Sequence, residues 1–176
     1  YAVFCLENVM FLEREFQLGN RDYVQTLEPR LFYLYVERQN QEDIPLFDSS
    51  TPTFTYRELF EENRFNGADR MGDASQIALA VTTRLIDPNT GAQRARASVG
   101  ELFYLRDRTV TLDNGAPEQR SRSDIAGELE VMLSRAWSGR ADLVWDPIDQ
   151  NSERANARIQ YNPGFRKIAN LSYRYL

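Results

Sequence analysis

Apolar and polar residues alternate along most of this chain with a period of two, the side-chain period of a β-strand. The clearest example is residues 123–135, where every second residue is mostly apolar and the positions between are mostly acidic or polar. Runs similar to residues 123–135 occupy residues 23–35, 75–85, 94–106, 140–145, 154–161 and 169–175. Residues 1–16 alternate poorly. The pattern predicts about eight strands, each with one apolar and one polar face.

The connections between these strands alternate between short and long. The short links are residues 18–22, 87–93, 136–139 and 162–166, and the long links are residues 39–71, 107–122 and 146–153. In an up-and-down antiparallel sheet every second connection lies at the same end, so one end carries turns and the other carries loops. That asymmetry is typical of outer-membrane barrels. We therefore predict an all-β fold, an antiparallel up-and-down transmembrane β-barrel to which residues 1–176 all belong.

Strand length and aromatic placement favour the same prediction. The longer runs, residues 23–35, 75–85, 94–106 and 123–135, have 11–13 residues, which exceeds the usual globular strand and suits a tilted strand that crosses a bilayer. Aromatic residues gather near the ends of the runs, as in the interfacial girdles of membrane barrels, although aromatic residues favour strands in any case. These residues are Tyr33, Tyr35, Phe103, Tyr104, Trp137, Trp145, Tyr161, Tyr173 and Tyr175.

Two residues do not fit the alternation. Glu101 falls on an apolar face, and Pro29 lies inside a strand, where it removes one ladder hydrogen bond. We expect a β-bulge at Gly100 that turns Leu102 and Tyr104 to the apolar side, and a second bulge at Pro29.

Composition limits the possible functions. The chain has 176 residues, a formal net charge of −5, no histidine and one cysteine, Cys5. The acidic balance disfavours nucleic-acid binding. Without histidine these residues supply neither the imidazole base of a hydrolytic triad nor the commonest zinc ligand. We therefore expect no catalytic site, metal site or cofactor, a half-buried free thiol at Cys5, and a chain that is an interior piece of a longer protein.

Several long motifs carry a family resemblance. They are LEPRLFYLYV at residues 27–36, IPLFD at 44–48, LFEENRFNGADRMGDASQ at 59–76 and LSYRY at 171–175. Over residues 19–176 the chain resembles the C-terminal part of the barrel in the LptD family of lipopolysaccharide-assembly proteins. The resemblance implies about eight strands of a barrel of about 26 strands, integral to the outer membrane of a Gram-negative bacterium.

The resemblance also implies function and partners. Members of the family form a translocon that inserts lipopolysaccharide into the outer leaflet without catalysis, through a lateral gate between the first and last strands. A plug lipoprotein, LptE, fills the barrel. Periplasmic bridge proteins deliver lipopolysaccharide to an N-terminal domain that this chain lacks. We therefore expect lipopolysaccharide, membrane lipid and the plug as partners, with no nucleic acid.

Two groups of residues are candidates for contact with these partners. In the link 39–71 and just beyond it, seven residues are predicted to enter the lumen and bind the plug: Asn63, Arg64, Phe65, Gly67, Asp69, Arg70 and Gly72. The alternative is an extracellular loop held by internal ion pairs. On the polar faces of the strands the lumen-facing residues are Glu28, Arg30, Arg84, Glu128, Glu130, Arg140, Arg158 and Arg174. They form either a surface for lipopolysaccharide phosphates or a mixed-sign lining that binds protein.

Two other functions remain open at this stage. A general porin-like channel would use the same kind of strands. A soluble carbohydrate-binding β-sandwich would instead pack the apolar rows of residues 77–85 and 125–133 against each other.

Overall fold

The fold is one antiparallel sheet. The computed structural model describes residues 2–112 and 115–175. Its strands are β1 (Val3–Val9), β2 (Leu12–Leu18), β3 (Arg21–Val36), β4 (Ala74–Ile86), β5 (Gln93–Tyr104), β6 (Ile125–Met132), β7 (Trp137–Asp146), β8 (Asn151–Gly164) and β9 (Lys167–Tyr175). A 3-10 turn spans Arg57–Phe60. No helix within the described residues is long and apolar enough to cross a membrane.

Strand order follows chain order, since β1 and β2 both pair with β3, and β4 to β9 follow as successive antiparallel neighbours. The prediction of an all-β, up-and-down antiparallel fold is confirmed. Closure of this sheet into a barrel stays a prediction.

The strands β1 and β2 share one position in the sheet because of Pro29. The N–H of Met10 donates to the carbonyl of Pro29 at 3.0 Å, and proline has no N–H to return the bond. Pairing with β3 is interrupted there, but the register is the same on both sides of the break. The expected bulge at Pro29 is therefore wrong, and the nine segments occupy the eight strand positions that the sequence predicts.

The connections agree with the predicted pattern except at one place. Tight turns occupy residues 19–20, 87–92, 133–136 and 165–166, and long loops occupy residues 37–73 and 105–124. Residues 113 and 114, inside the predicted link 107–122, lie outside the described residues. The third long link is wrong, because β7 and β8 remain paired as far as Asp146 and Asn151. Asp146 accepts the N–H groups of Ile148 and Asp149 at 2.7 and 3.2 Å, which closes a short turn.

The pairing register sorts the side chains onto two faces. The apolar face carries Leu31, Leu79, Leu129, Leu143 and Leu171, and the charged face carries Glu28, Arg84, Glu128, Arg140 and Arg158. The two apolar rows of residues 77–85 and 125–133 lie on the same face of one sheet. They cannot pack against each other as the β-sandwich alternative requires. The free thiol of Cys5 is exposed, rather than half-buried as expected.

Glu101 remains on the apolar face. The register between β4 and β5 shifts only near Leu85, so the expected bulge at Gly100 is absent from this pair and that prediction is wrong. Instead, Gly100 allows close packing on the charged face, where an added Cβ would lie 2.7 Å from Cδ1 of Leu59. Leu102 is buried on that same face.

The core of the molecule lies where the loop 37–73 folds back over the charged face. Its buried members are Phe32, Leu34, Val36, Leu59, Ala74, Ala78 and Leu102, and the residues packed around them are Phe54, Tyr56, Phe60, Met71 and Tyr104. Burial of these side chains fixes the loop against β3, β4 and β5. One end of the charged face is thus apolar and covered, and the other end is polar and open.

Candidate functional site

The 3-10 turn attaches the long loop to the sheet. Its Leu59 has no exposed surface, and the ring of Phe60 meets Phe32 edge-on at 6.2 Å. The guanidinium of Arg30 lies 3.4 Å from the centre of the Phe60 ring and pairs with Glu7 at 2.7 Å. The loop therefore covers Arg30, one of the predicted lumen-facing residues, and uses it as an anchor.

Asp73 joins the two long loops to each other, with a side chain that is 2% exposed. The N–H and hydroxyl of Thr109 donate to its carboxylate at 3.0 and 2.8 Å, and the N–H of Val110 donates at 2.9 Å. The guanidinium groups of Arg64 and Arg106 lie 3.6 and 4.0 Å away.

The environment of Asp73 keeps it ionised. Burial by itself would raise the pKa of this carboxyl. The hydrogen bonds from Val110 and Thr109 and the charge of Arg64 outweigh burial, so the pKa of Asp73 lies below its ordinary value. The carboxylate can therefore hold both loops at neutral pH.

Arg64, Phe65 and Gly72 form the contact beneath Asp73. Arg64 donates to the backbone carbonyl of Asp73 at 2.9 Å and to that of Val110. The guanidinium carbon of Arg64 lies 4.8 Å from the centre of the Phe65 ring. An added Cβ at Gly72 would lie 2.9 Å from Cγ of Arg64. These predicted partner-binding residues are thus held against their own loop.

Asn63 and Arg70 fix the backbone on either side of that contact. The side-chain oxygen of Asn63 accepts the N–H of Phe65 at 3.2 Å and of Gly72 at 2.9 Å. Its amide donates to the carbonyl of Arg70 at 2.9 Å. Arg70 is 3% exposed and donates to the carbonyl of Gln41 at 2.7 Å. The loop is therefore closed by side chains bonded to backbone.

Asp69 and Gly67 hold an exposed tip. The carboxylate of Asp69 accepts the N–H groups of Phe47 and Asp48 at 2.7 and 2.8 Å. The bonds from Asp48 and Phe47 hold the pKa of Asp69 below its ordinary value. Gly67 has φ +86°, and an added Cβ there would lie 2.7 Å from the Asp48 carbonyl oxygen.

The exposed tip consists of Ile44, Leu46 and Phe47, and the Phe47 side chain is 85% exposed. The structure therefore brings all seven predicted loop residues together as the frame of a loop whose tip is apolar. Their contact with a plug stays a prediction. The tip was missed from the sequence, although three large apolar residues around Pro45 in a polar link were a usable signal.

The predicted lumen-facing residues all lie on the charged face, and many form ion pairs. Arg84 pairs with Glu28 at 3.3 Å, Arg96 with Glu128 at 2.9 Å, and Arg140 with Glu130. Glu28, Glu128 and Glu130 thus each have an arginine partner on this face. No cluster suited to a metal ion occurs among residues 2–112 and 115–175.

The open part of this face contains a depression of about 300 Å³ between β5 and β8. Arg94, Glu130, Arg140 and Arg158 line it, and Arg140 lies directly opposite Arg158 across the two strands. Arg174 lies on the same face in β9, opposite Asn156. The depression presents more positive than negative groups, so it can accept anionic or polar partners.

Comparison with known proteins agrees with the motifs. The family model described as "LptD: LPS transport system D" matches residues 4–176, so the likeness extends beyond the predicted start at residue 19. The LPS-assembly protein LptD of Azoarcus sp. (strain BH72) is 43% identical over 173 residues, which cover 98% of this chain and 21% of that protein. LPS-assembly protein LptD of Pseudomonas fluorescens is 41% identical over 179 residues, covering 97% of this chain and 19% of that protein.

A third relative gives the same result. LPS-assembly protein LptD of Nitrosococcus oceani is 40% identical over 173 residues, with coverage of 98% of this chain and 23% of that protein. The chain thus spans about a fifth of the length of the curated relatives it matches. Because the family model and these relatives match almost the whole chain, this chain belongs to the LptD family of the LPS transport system.

Proposed function

We propose that these residues form part of the wall of an outer-membrane β-barrel that assembles lipopolysaccharide into the outer leaflet, without catalysis. The observation that carries the proposal is the two-faced sheet. Among the described residues, one face presents exposed leucine rows interrupted by Glu101, and the other presents paired charges and a folded loop. A strand that faces lipid on one side and a wet lumen on the other requires this division.

The sheet edges support a larger closed barrel. Within the described residues, β9 and the shared position of β1 and β2 each have a strand neighbour on one side only. Backbone groups inside a bilayer must be satisfied by the protein, so these edges need further strands. The rest of the barrel, of about 26 strands in all, is the natural source.

The charged face is proposed to line the lumen, where the long loop meets an LptE-type plug lipoprotein. Asp69 accepts two backbone hydrogen bonds from the apolar tip at residues 44–47, and this restraint would lower the entropy cost of docking. The open arginine-lined depression is proposed to contact the phosphates and sugars of lipopolysaccharide. Periplasmic bridge proteins would act through a domain outside these residues.

The membrane orientation is tested by nitroxide labels in the full-length protein in native membranes. Labels at Leu79, Leu129 and Leu171 are expected to collide with oxygen dissolved in lipid. Labels at Asn170 and Ser172, the matched neighbours of Leu171 on the charged face, are expected to collide with a water-soluble relaxant. A water-exposed signal at all three leucines would remove the proposed function.

The plug contact is tested by changing the tip. Replacing Phe47 by alanine is expected to weaken recovery of the barrel–plug complex about tenfold, because exposed aromatic anchors dominate protein interfaces. Thr51→Ala, another exposed position of the loop, is the control and is expected to leave recovery unchanged. Equal recovery of the Phe47→Ala variant and the control would contradict docking through the tip.

A further inference from the structure

A groove crosses the apolar face over β3, β4 and β5 and reaches the start of β6. It encloses about 560 Å³ and is lined mainly by aliphatic side chains. Leu31, Leu79, Val81, Val99 and Ile125 form its walls, and Glu101 is the charged residue of the apolar row among them. A carboxylate on a lipid-facing surface costs free energy, and a donor that pairs with it lowers that cost.

The carboxylate of Glu101 has an unused acceptor. Its side chain is 16% exposed, and its Oε1 is shielded from solvent and accepts no hydrogen bond from residues 2–112 or 115–175. Arg122 forms a long ion pair with Glu101, because its Nε lies 3.9 Å from Oε1, beyond hydrogen-bond distance. Arg122 comes from the loop 105–124 and lies opposite Phe103, at the loop end of the groove.

Glu101 lies close to a cross-strand row that contains two aromatic residues. Phe103 is two positions nearer the loop end on the same face, in one cross-strand row with Ile77 and Tyr33. Two strand residues span about 7 Å. Since aromatic belts mark the level of the lipid headgroups, the proposed orientation would place Glu101 where headgroups join their acyl chains.

We propose that this groove is a binding site for the lipid anchor of lipopolysaccharide on the outside of the barrel wall. The acyl chains would lie along Leu79, Val81 and Val99. A hydroxyl or amide N–H at the head of those chains would donate to the partly exposed carboxylate of Glu101, and a sugar phosphate would bind Arg122. The inference rests on the proposed function for the orientation of the apolar face.

The chemistry of Glu101 selects this lipid over a glycerophospholipid. Lipopolysaccharide carries amide-linked, hydroxylated acyl chains, whereas ester-linked phospholipids have no donor at that depth. A phosphate is common to both classes, so Arg122 does not distinguish them. Discrimination therefore resides in the Glu101 carboxylate, because a shielded acceptor that a bound lipid leaves without a hydrogen bond is unfavourable.

The test uses the full-length protein with its plug partner in detergent, titrated separately with lipopolysaccharide and phosphatidylethanolamine and observed by native mass spectrometry. Glu101→Leu is expected to weaken lipopolysaccharide binding about tenfold, the loss of one charge-assisted hydrogen bond, and to leave phosphatidylethanolamine binding unchanged. Glu101→Gln keeps a side-chain oxygen acceptor without the charge, so its lipopolysaccharide binding is expected to lie between that of Glu101→Leu and that of the unaltered protein.

A second pair of variants tests the groove independently of Glu101. Leu79→Trp fills the groove and is expected to weaken binding of both lipids. Leu129→Trp is the matched control, because Leu129 lies on the same face with 43% exposure, against 45% for Leu79, and does not line the groove.

The outcomes distinguish failure of the lipid-binding groove from failure of the proposed function. If Glu101→Leu binds lipopolysaccharide like the unaltered protein, or loses both lipids equally, the inference is overturned. If Glu101→Gln falls as far as Glu101→Leu, the carboxylate acts only through its ion pair with Arg122, which also overturns the inference. If the nitroxide labels at Leu129 and Leu171 report lipid but the lipopolysaccharide titration shows no effect of Glu101→Leu, only the groove inference is overturned. The proposed function then stands.

Discussion

Replacing Asp73 by alanine is expected to release the loops 37–73 and 105–124 from each other, at a cost of about 3–5 kcal/mol. The carboxylate is buried and accepts bonds from Thr109 and Val110 while neutralising Arg64 and Arg106. Its removal leaves both guanidinium groups in a poorly hydrated position without their counter-ion. The expected result is rapid proteolytic cleavage in both loops while the strands stay resistant.

Two variants serve as controls for Asp73→Ala. Asp73→Asn keeps the side-chain acceptors without the charge, so an intermediate cleavage rate is expected. Asp87→Ala removes the partner of Arg94, 2.8 Å away, in a tight turn at the opposite end of the sheet, and is expected to leave loop cleavage unchanged. Loops that stay protected in Asp73→Ala would show that the contact is not what holds them.

Acid should weaken the same contact. The pKa of Asp73 is lower in the folded protein than its ordinary value of 3.8, so the folded state favours the ionised form. Its stabilising contribution is complete above that ordinary value and is lost as the pH falls through the lowered one. Loop cleavage by an acid-active protease should therefore rise steeply below about pH 4 in the unaltered protein and only weakly in Asp73→Asn.

Replacing Leu59 by alanine is expected to cost about 2–5 kcal/mol and to detach the 3-10 turn from the charged face. Leu59 is fully buried among Leu34, Val36 and Leu102, and it packs against the bare backbone of Gly100. Neighbouring strands cannot collapse into the space it leaves, because their own pairing fixes them. The lost stability should therefore appear as detachment of the loop 37–73, while the strands keep their pairing.

Hydrogen exchange measures this effect directly. Amides of residues 54–60 are expected to exchange faster in Leu59→Ala, with little change in β4 and β5. Leu46→Ala is the matched control, because Leu46 is a leucine of the same loop that is exposed at the tip. Unchanged exchange at residues 54–60 would mean that burial of Leu59 is not the anchor.

Much of the fold could be predicted from local sequence. The period-two rows of residues 75–85 and 125–133 identify strands and their two faces, because neighbouring side chains of a strand point in opposite directions. The turns at residues 19–20 and 87–92 carry Gly19 and Gly91 in positive φ, which is local chemistry as well. The family motifs are equally a property of the sequence.

Departures from prediction arise where distant groups decide the outcome. The alternation pattern identified Pro29 and Glu101 as exceptions. It could not show that Pro29 interrupts the neighbouring strand, or that Glu101 stays on the apolar face beside Arg122. The length of the link after β7 depended on Asp146 capping a short turn, in place of the long loop expected.

The candidate site divides in the same way. The sequence by itself determined which residues belong to the charged face and that the long link is rich in anchoring side chains. Only the tertiary structure decided that Arg70 and Phe65 are buried as the frame while Phe47 is exposed. The physical reason is the separation of the interacting residues along the sequence. The two faces of a strand follow from adjacent residues, whereas Asp73 contacts Thr109 across 36 positions of the chain.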